Sequence, residues 1–151
     1  MPFIDAGDDW KDTKEQILAQ AGPYDLDIAD ADLYQSEKSG NKSIRVRINF
    51  TGKPDLAPIM HYLPLVNKAK DLENDKEKGN EPGTTSTTKM RMTKRFLYAF
   101  KIKWNDKGFD TNTFKGKRAR LEVGIQTQEL DGGEVRRSNV LKLPQLPEGM
   151  S

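Results

Sequence analysis

Apolar and polar residues alternate without a break over residues 43–51. Ile44, Val46, Ile48 and Phe50 take one side of a strand, and Ser43, Arg45, Arg47, Asn49 and Thr51 take the other. The first side suits a core. The second sets two guanidinium groups side by side on a sheet surface. Residues 117–130 alternate as well. Ala119, Leu121, Val123, Ile125 and Thr127 form the inward set, with Arg118, Arg120, Glu122, Gly124, Gln126 and Gln128 outward. Gly124 inside this strand marks a sharp bend or a close approach. Over 24–34, Tyr24, Leu26 and Ile28 share a face, and Ala31 and Leu33 continue it with the phase shifted by one residue. That shift predicts a bulge near Ala29 and Asp30. A shorter strand is expected within 57–65, confined to a sheet edge by Pro58 and Pro64. A fifth over 135–143 follows the turn Asp131-Gly132-Gly133.

Helical spacing occurs twice. Phe96, Leu97, Phe100 and Trp104, with Met92 one turn earlier, predict an internal helix over 91–104. Trp10, Ile17 and Leu18 predict a short one over 10–20, stopped by Gly22-Pro23. Residues 67–88 are charge, amide, glycine and threonine with no apolar period, so a mobile loop with at most a helical start is expected there. The resulting order is strand, strand, strand, helix, strand, strand. Five short, bending strands with one helix between the third and fourth match the OB-fold, a small Greek-key barrel. The expected class is therefore mainly β, with a short N-terminal helix outside the barrel. The expected domains are an acidic arm at 1–23, the OB-fold at 24–143 with its insert at 67–88, and a loose tail at 144–151.

Composition narrows the picture. The 151 residues are 34% hydrophobic and 32% charged, which suits one domain with a modest core. No apolar run approaches the length of a membrane helix, and residues 1–9 lack the basic and apolar regions of a secretion signal. Cysteine is absent, which excludes disulfides, thiolate zinc sites and cysteine nucleophiles and fits a reducing cytoplasm. Charge is unevenly placed. Residues 1–37 hold ten acids and two bases, whereas 89–120 hold eleven bases and two acids. A run of the second kind creates a potential that attracts phosphates.

The chemistry points to binding. Single-strand recognition needs a basic groove and exposed flat rings. The groove candidates are Lys42, Arg45, Arg47, Lys53, Arg118, Arg120, Arg136 and Arg137, and the foremost ring candidates are Tyr34 and Tyr62. Tyr98, Phe109 and Phe114 are further rings, while Phe50, Phe96, Phe100 and Trp104 fit apolar faces and are expected in the core. His61 is the only histidine and is expected to be structural or solvated. Asp25, Asp27, Asp30 and Asp32 are one residue type, but simple alternation splits them between two faces, so no metal site is expected. Neither a phosphate-binding loop nor a nucleophile-elbow motif occurs. The expectation is a non-enzyme without cofactor or metal.

Tyr24-Asp-Leu-Asp-Ile-Ala-Asp-Ala-Asp-Leu, then Ser39-Gly40-Asn41-Lys42, then Ile44-Arg-Val-Arg-Ile resembles the start of phage-encoded OB-fold single-stranded-DNA-binding proteins. Phe114-Lys-Gly-Lys and the late Asn139-Val-Leu strand extend the resemblance over about 24–143, with 67–88 unmatched. It implies largely sequence-independent coating of single-stranded DNA in phage replication or recombination, with proteins of those pathways as further partners, in the host cytoplasm. The chain departs from relatives with an acidic C-terminal tail, since its acids lie at the N-terminus. That acidic stretch carries an alternative expectation: a protein-interaction module that docks on a basic partner.

Overall fold

The alternating run forms β2 (Lys42–Phe50), with Ile44, Val46, Ile48 and Phe50 all buried. In the computed structural model, which describes residues 2–149, it lies between β1 (Gly22–Gln35) and β3 (Ile59–Pro64). β4 (Arg118–Glu129) and β5 (Val135–Lys142) complete one five-stranded sheet in the order β3-β2-β1-β4-β5, every ladder antiparallel. β3 is an edge strand, as its prolines require. The two edge strands approach within 8 Å, Cα to Cα, but no ladder joins them among the described residues. The molecule is thus mainly β, with a strongly curved sheet and two helices.

The bulge is where the phase shift predicts it. The β1–β2 register slips between Ile28 and Asp30, leaving Ala29 as the extra residue. The slip corrects one expectation. Leu26 and Ile28 point inward before it, and Asp30 and Asp32 lie opposite the outward Arg47 and Arg45 after it. All four strand-one aspartates therefore share the outer face. Gly124 is a close approach: a Cβ there would meet Lys142 Cε of β5 at 3.0 Å. Farther along β4 the inward set leaves the core, and Ile125 is exposed.

Two helical expectations are corrected. Residues 10–20 form only a 3₁₀ turn at Trp10–Asp12, and the chain then runs extended. Ile17 makes a parallel bridge to Leu56, bonding Asp55 and Ala57 through its backbone N–H and C=O. Asn139 of β5 holds both backbone groups of Ala19 at 2.9 Å. The supposed loop at 67–88 contains α1 (Lys68–Lys78) and the start of α2 (Thr84–Ala99). The internal helix thus begins seven residues earlier than expected and stops before Trp104.

α1 has almost no apolar stripe. Its buried residues are Asp71 and Asp75, one turn apart. Asp75 accepts from the N–H groups of Gly83 and Thr85 at 2.9 Å and from the Thr85 hydroxyl at 2.6 Å. Gly83 has no side chain to cap α2, so Asp75 supplies that cap from the neighbouring helix. Asp71 accepts from Ser86 Oγ at 2.8 Å and Lys89 Nζ at 2.7 Å. Thr85 bonding holds Asp75 below the usual carboxylate range. Burial pushes Asp71 up, but Lys89, Ser86 and the Asn67 N–H outweigh it and bring its pKa down.

The far end of α2 enters the core. Phe96 is fully buried, with Phe100 at 4.8 Å, Phe114 at 5.9 Å and the His61 ring stacked at 5.2 Å between centroids. Phe114 is therefore core rather than an exposed ring. The helix ends with Lys101 in the left-handed region at φ 57°, and Ile102 N–H bonds back to Leu97. No helix among the described residues is long and apolar enough to cross a membrane.

Candidate nucleic-acid interface

Three of the sequence candidates meet on the outer face of β1, β2 and β3. Register places Asp32 opposite Arg45 and Arg45 opposite Tyr62, with Tyr34 two residues beyond Asp32 and opposite Ser43. The Tyr34 and Tyr62 ring centroids are 5.5 Å apart, and the Arg45 guanidinium lies 5.1 Å from the Tyr34 ring centre. Tyr62 and the neighbouring Met60 are exposed. Two flat rings from different strands and one cation thus form a continuous surface, in reach of a base and its phosphate.

The arginines on this face are not bare. Arg45 bonds Asp32 through Nε at 3.2 Å and Nη2 at 2.8 Å, which raises its pKa above the ordinary value. Arg47 reaches Asp30 at 2.8 Å, and Arg120 of β4 reaches Asp25 at 3.1 Å. Asp27 lies opposite Arg118 and accepts from the Thr51 hydroxyl at 2.7 Å. An acidic stripe on β1 therefore runs between two arginine stripes. Exposed pairs of this kind contribute little to stability, about 0–1 kcal/mol each. Their effect is to orient the guanidinium groups and to cancel most of the charge on the sheet.

The other candidates do not join the cluster. Lys42 is exposed at the start of β2, opposite Gln35. Lys53 lies in the β2–β3 turn. Arg136 and Arg137 are exposed on β5, the opposite edge strand of the sheet, and as consecutive strand residues they point to opposite sides. His61 faces inward, and burial pushes its pKa down to about 4, so it is neutral at pH 7. The described residues contain no group of three or more histidines and carboxylates placed to hold a metal ion.

A second basic surface carries most of the charge run after residue 89 and none of the residues named as groove candidates. Residues 91–117 contain eight lysines and arginines and two acids. None of the eight forms an ion pair among the described residues. Beside α2 and the chain after it lies an open groove of about 460 Å³, lined by Val66, Met90, Lys94, Trp104, Lys107 and Phe109. It adjoins a hollow of about 440 Å³ that includes Arg91 and Arg95, whose Nε is buried without a hydrogen-bond partner. Trp104 was expected in the core because its spacing continued the helix. The helix stops at Ala99, which leaves that ring half-buried on the groove wall. The charge run itself was the available signal. No family model matches the chain, and no curated protein matches its sequence.

Proposed function

We propose that the protein is a non-enzymatic binder of single-stranded DNA with little sequence preference, acting through the outer face of β1–β3 on an open OB-type barrel. The observation that carries this reading is the Tyr34–Arg45–Tyr62 cluster, with rings 5.5 Å apart on an exposed sheet face. Every base has a π-face, so stacking on such rings is sequence-tolerant. The strand order and the approach of β3 to β5 support the barrel. In OB-folds the face of the second and third strands carries oligonucleotides, and Arg45, Met60 and Tyr62 lie on that face here. Bound bases stack on the tyrosines while phosphates exchange with Asp32 and Asp30 for the two guanidinium groups. Covering exposed strands in phage replication or recombination, in the host cytoplasm, is the role the sequence resemblance adds to this reading.

The test is fluorescence anisotropy with a labelled oligothymidine of about 30 nucleotides, ample for one OB-fold. Tyr34→Ala and Tyr62→Ala should each weaken binding by about 1–3 kcal/mol, roughly 5- to 150-fold, with unfolding midpoints close to wild type. Failure of the wild-type protein to bind at low salt, or wild-type affinity in both variants, would overturn the reading.

A further inference from the structure

The N-terminal arm presents apolar side chains that nothing in its own chain covers. Phe3 is 92% exposed, Ile4 79% and Trp10 73%. Between and beside them stand Asp5, Asp8, Asp9, Asp12 and Glu15, five acids against the two bases Lys11 and Lys14. An exposed segment that alternates carboxylates with large apolar groups is costly to leave in water and suits a surface that is both basic and apolar. The groove beside α2 is such a surface. Val66 and Met90 are exposed along it, and the Trp104 and Phe109 rings are half-buried in its wall. Lys94 and Lys107 line it, and Lys103 lies on its continuation past Trp104. Asp106 and Asp110 are its own acids, outnumbered by the unpaired cations of residues 91–117.

The topology sets the arm and the groove at opposite ends of β3. The arm is rooted where Ile17 bonds Asp55 and Ala57 and where Gln16 Nε2 donates to Pro54 at 3.2 Å, all in the turn between β2 and β3. From that turn β3 runs through Ile59–Pro64, and only then does the chain reach Leu65 and Val66 on the groove. Six residues of strand span about 20 Å. The described arm makes no hydrogen bond or ion pair to any groove residue.

We infer that the acidic, apolar arm of one molecule docks in the basic groove beside α2 of a second copy. Because donor and acceptor surfaces differ and sit at opposite ends, the contact is heterologous and repeats head to tail. Head-to-tail assembly of this kind is a different property from strand binding and does not depend on it.

The experiment is sedimentation velocity of the full-length protein without nucleic acid, over a hundredfold concentration range at low and high salt. An arm variant carries Phe3→Ser, Ile4→Ser and Trp10→Ser. A groove variant carries Lys94→Glu and Lys103→Glu. Circular dichroism checks that both fold. Wild type should self-associate with rising concentration and dissociate at high salt. Each variant alone should require at least about tenfold more protein to associate. An equimolar mixture of the two should form dimers that grow no further, because only one intact arm and one intact groove can meet. A wild type that stays monomeric throughout overturns the inference, whether its arm is free or folds back on its own groove. So does self-association that survives in either variant. If the groove variant loses oligonucleotide affinity while wild type is monomeric, the groove belongs to the nucleic acid and not to a second copy.

Discussion

His61 shows how one inward-facing polar residue on an edge strand couples the core to pH. Its ring stacks on the fully buried Phe96, and burial lowers its pKa from 6.5 to about 4. Between those values the unfolded chain binds a proton that the folded chain refuses. Its stabilising contribution is therefore complete above pH 6.5 and is lost as pH falls through about 4. The expected loss between pH 7 and pH 4.5 is roughly 2 kcal/mol. Urea unfolding of wild type and His61→Phe at both pH values isolates it, since both proteins share all other titrating groups. The variant should lose less stability than wild type over this interval. Equal losses would mean that His61 is protonated without penalty in the folded state.

At the scale of elements, β2 was legible residue by residue, because a period of two needs no knowledge of neighbours. The β1 bulge was legible too, yet its consequence was not carried through: the same slip that realigns Ala31 also moves Asp30 and Asp32 onto the face of Asp25 and Asp27. α1 and the first turns of α2 were illegible for another reason, although the apolar second half of α2 was read from its spacing. Pattern reading looks for an apolar stripe, and here the stripe is Asp71 and Asp75, whose value depends on donors 8 to 18 residues away. Carboxylates that cap one helix from another leave no periodic signature. The pair should come apart when that cap is removed. In Asp75→Ala, the N–H groups of Gly83 and Thr85 lose their shared acceptor, so limited trypsin digestion should cut faster at Lys76, Lys78 and Lys89 than in wild type. The sheet, which has its own aromatic core, should keep its circular dichroism signal. Unchanged cleavage would show that the helices hold together without the carboxylate.

For the whole molecule, the outer face joins four aspartates and four arginines into nearly cancelling stripes, although the chain segments that supply them differ widely in charge. Cross-strand register, which decides that Asp30 meets Arg47 and Asp32 meets Arg45, is set by the turn and the bulge together and is invisible to a count of bases along the chain. The cancellation changes what salt should do. A phosphate that approaches Arg45 displaces a carboxylate as well as a solvent ion, so wild-type affinity should depend on salt less steeply than a bare arginine pair implies. Asp30→Asn with Asp32→Asn tests this directly. Both side chains are more than half exposed, so the double variant should fold with little loss. It frees two guanidinium groups beside the tyrosine pair. Single-strand affinity should rise at low salt, and the plot of log K against log salt should steepen by about 1.4, or 0.7 for each phosphate that no longer has to displace a carboxylate. At high salt the two proteins should converge. Measured by anisotropy from about 50 to 300 mM salt, a range over which phosphate contacts dominate affinity, an unchanged slope and affinity would move the phosphate contacts off this sheet face.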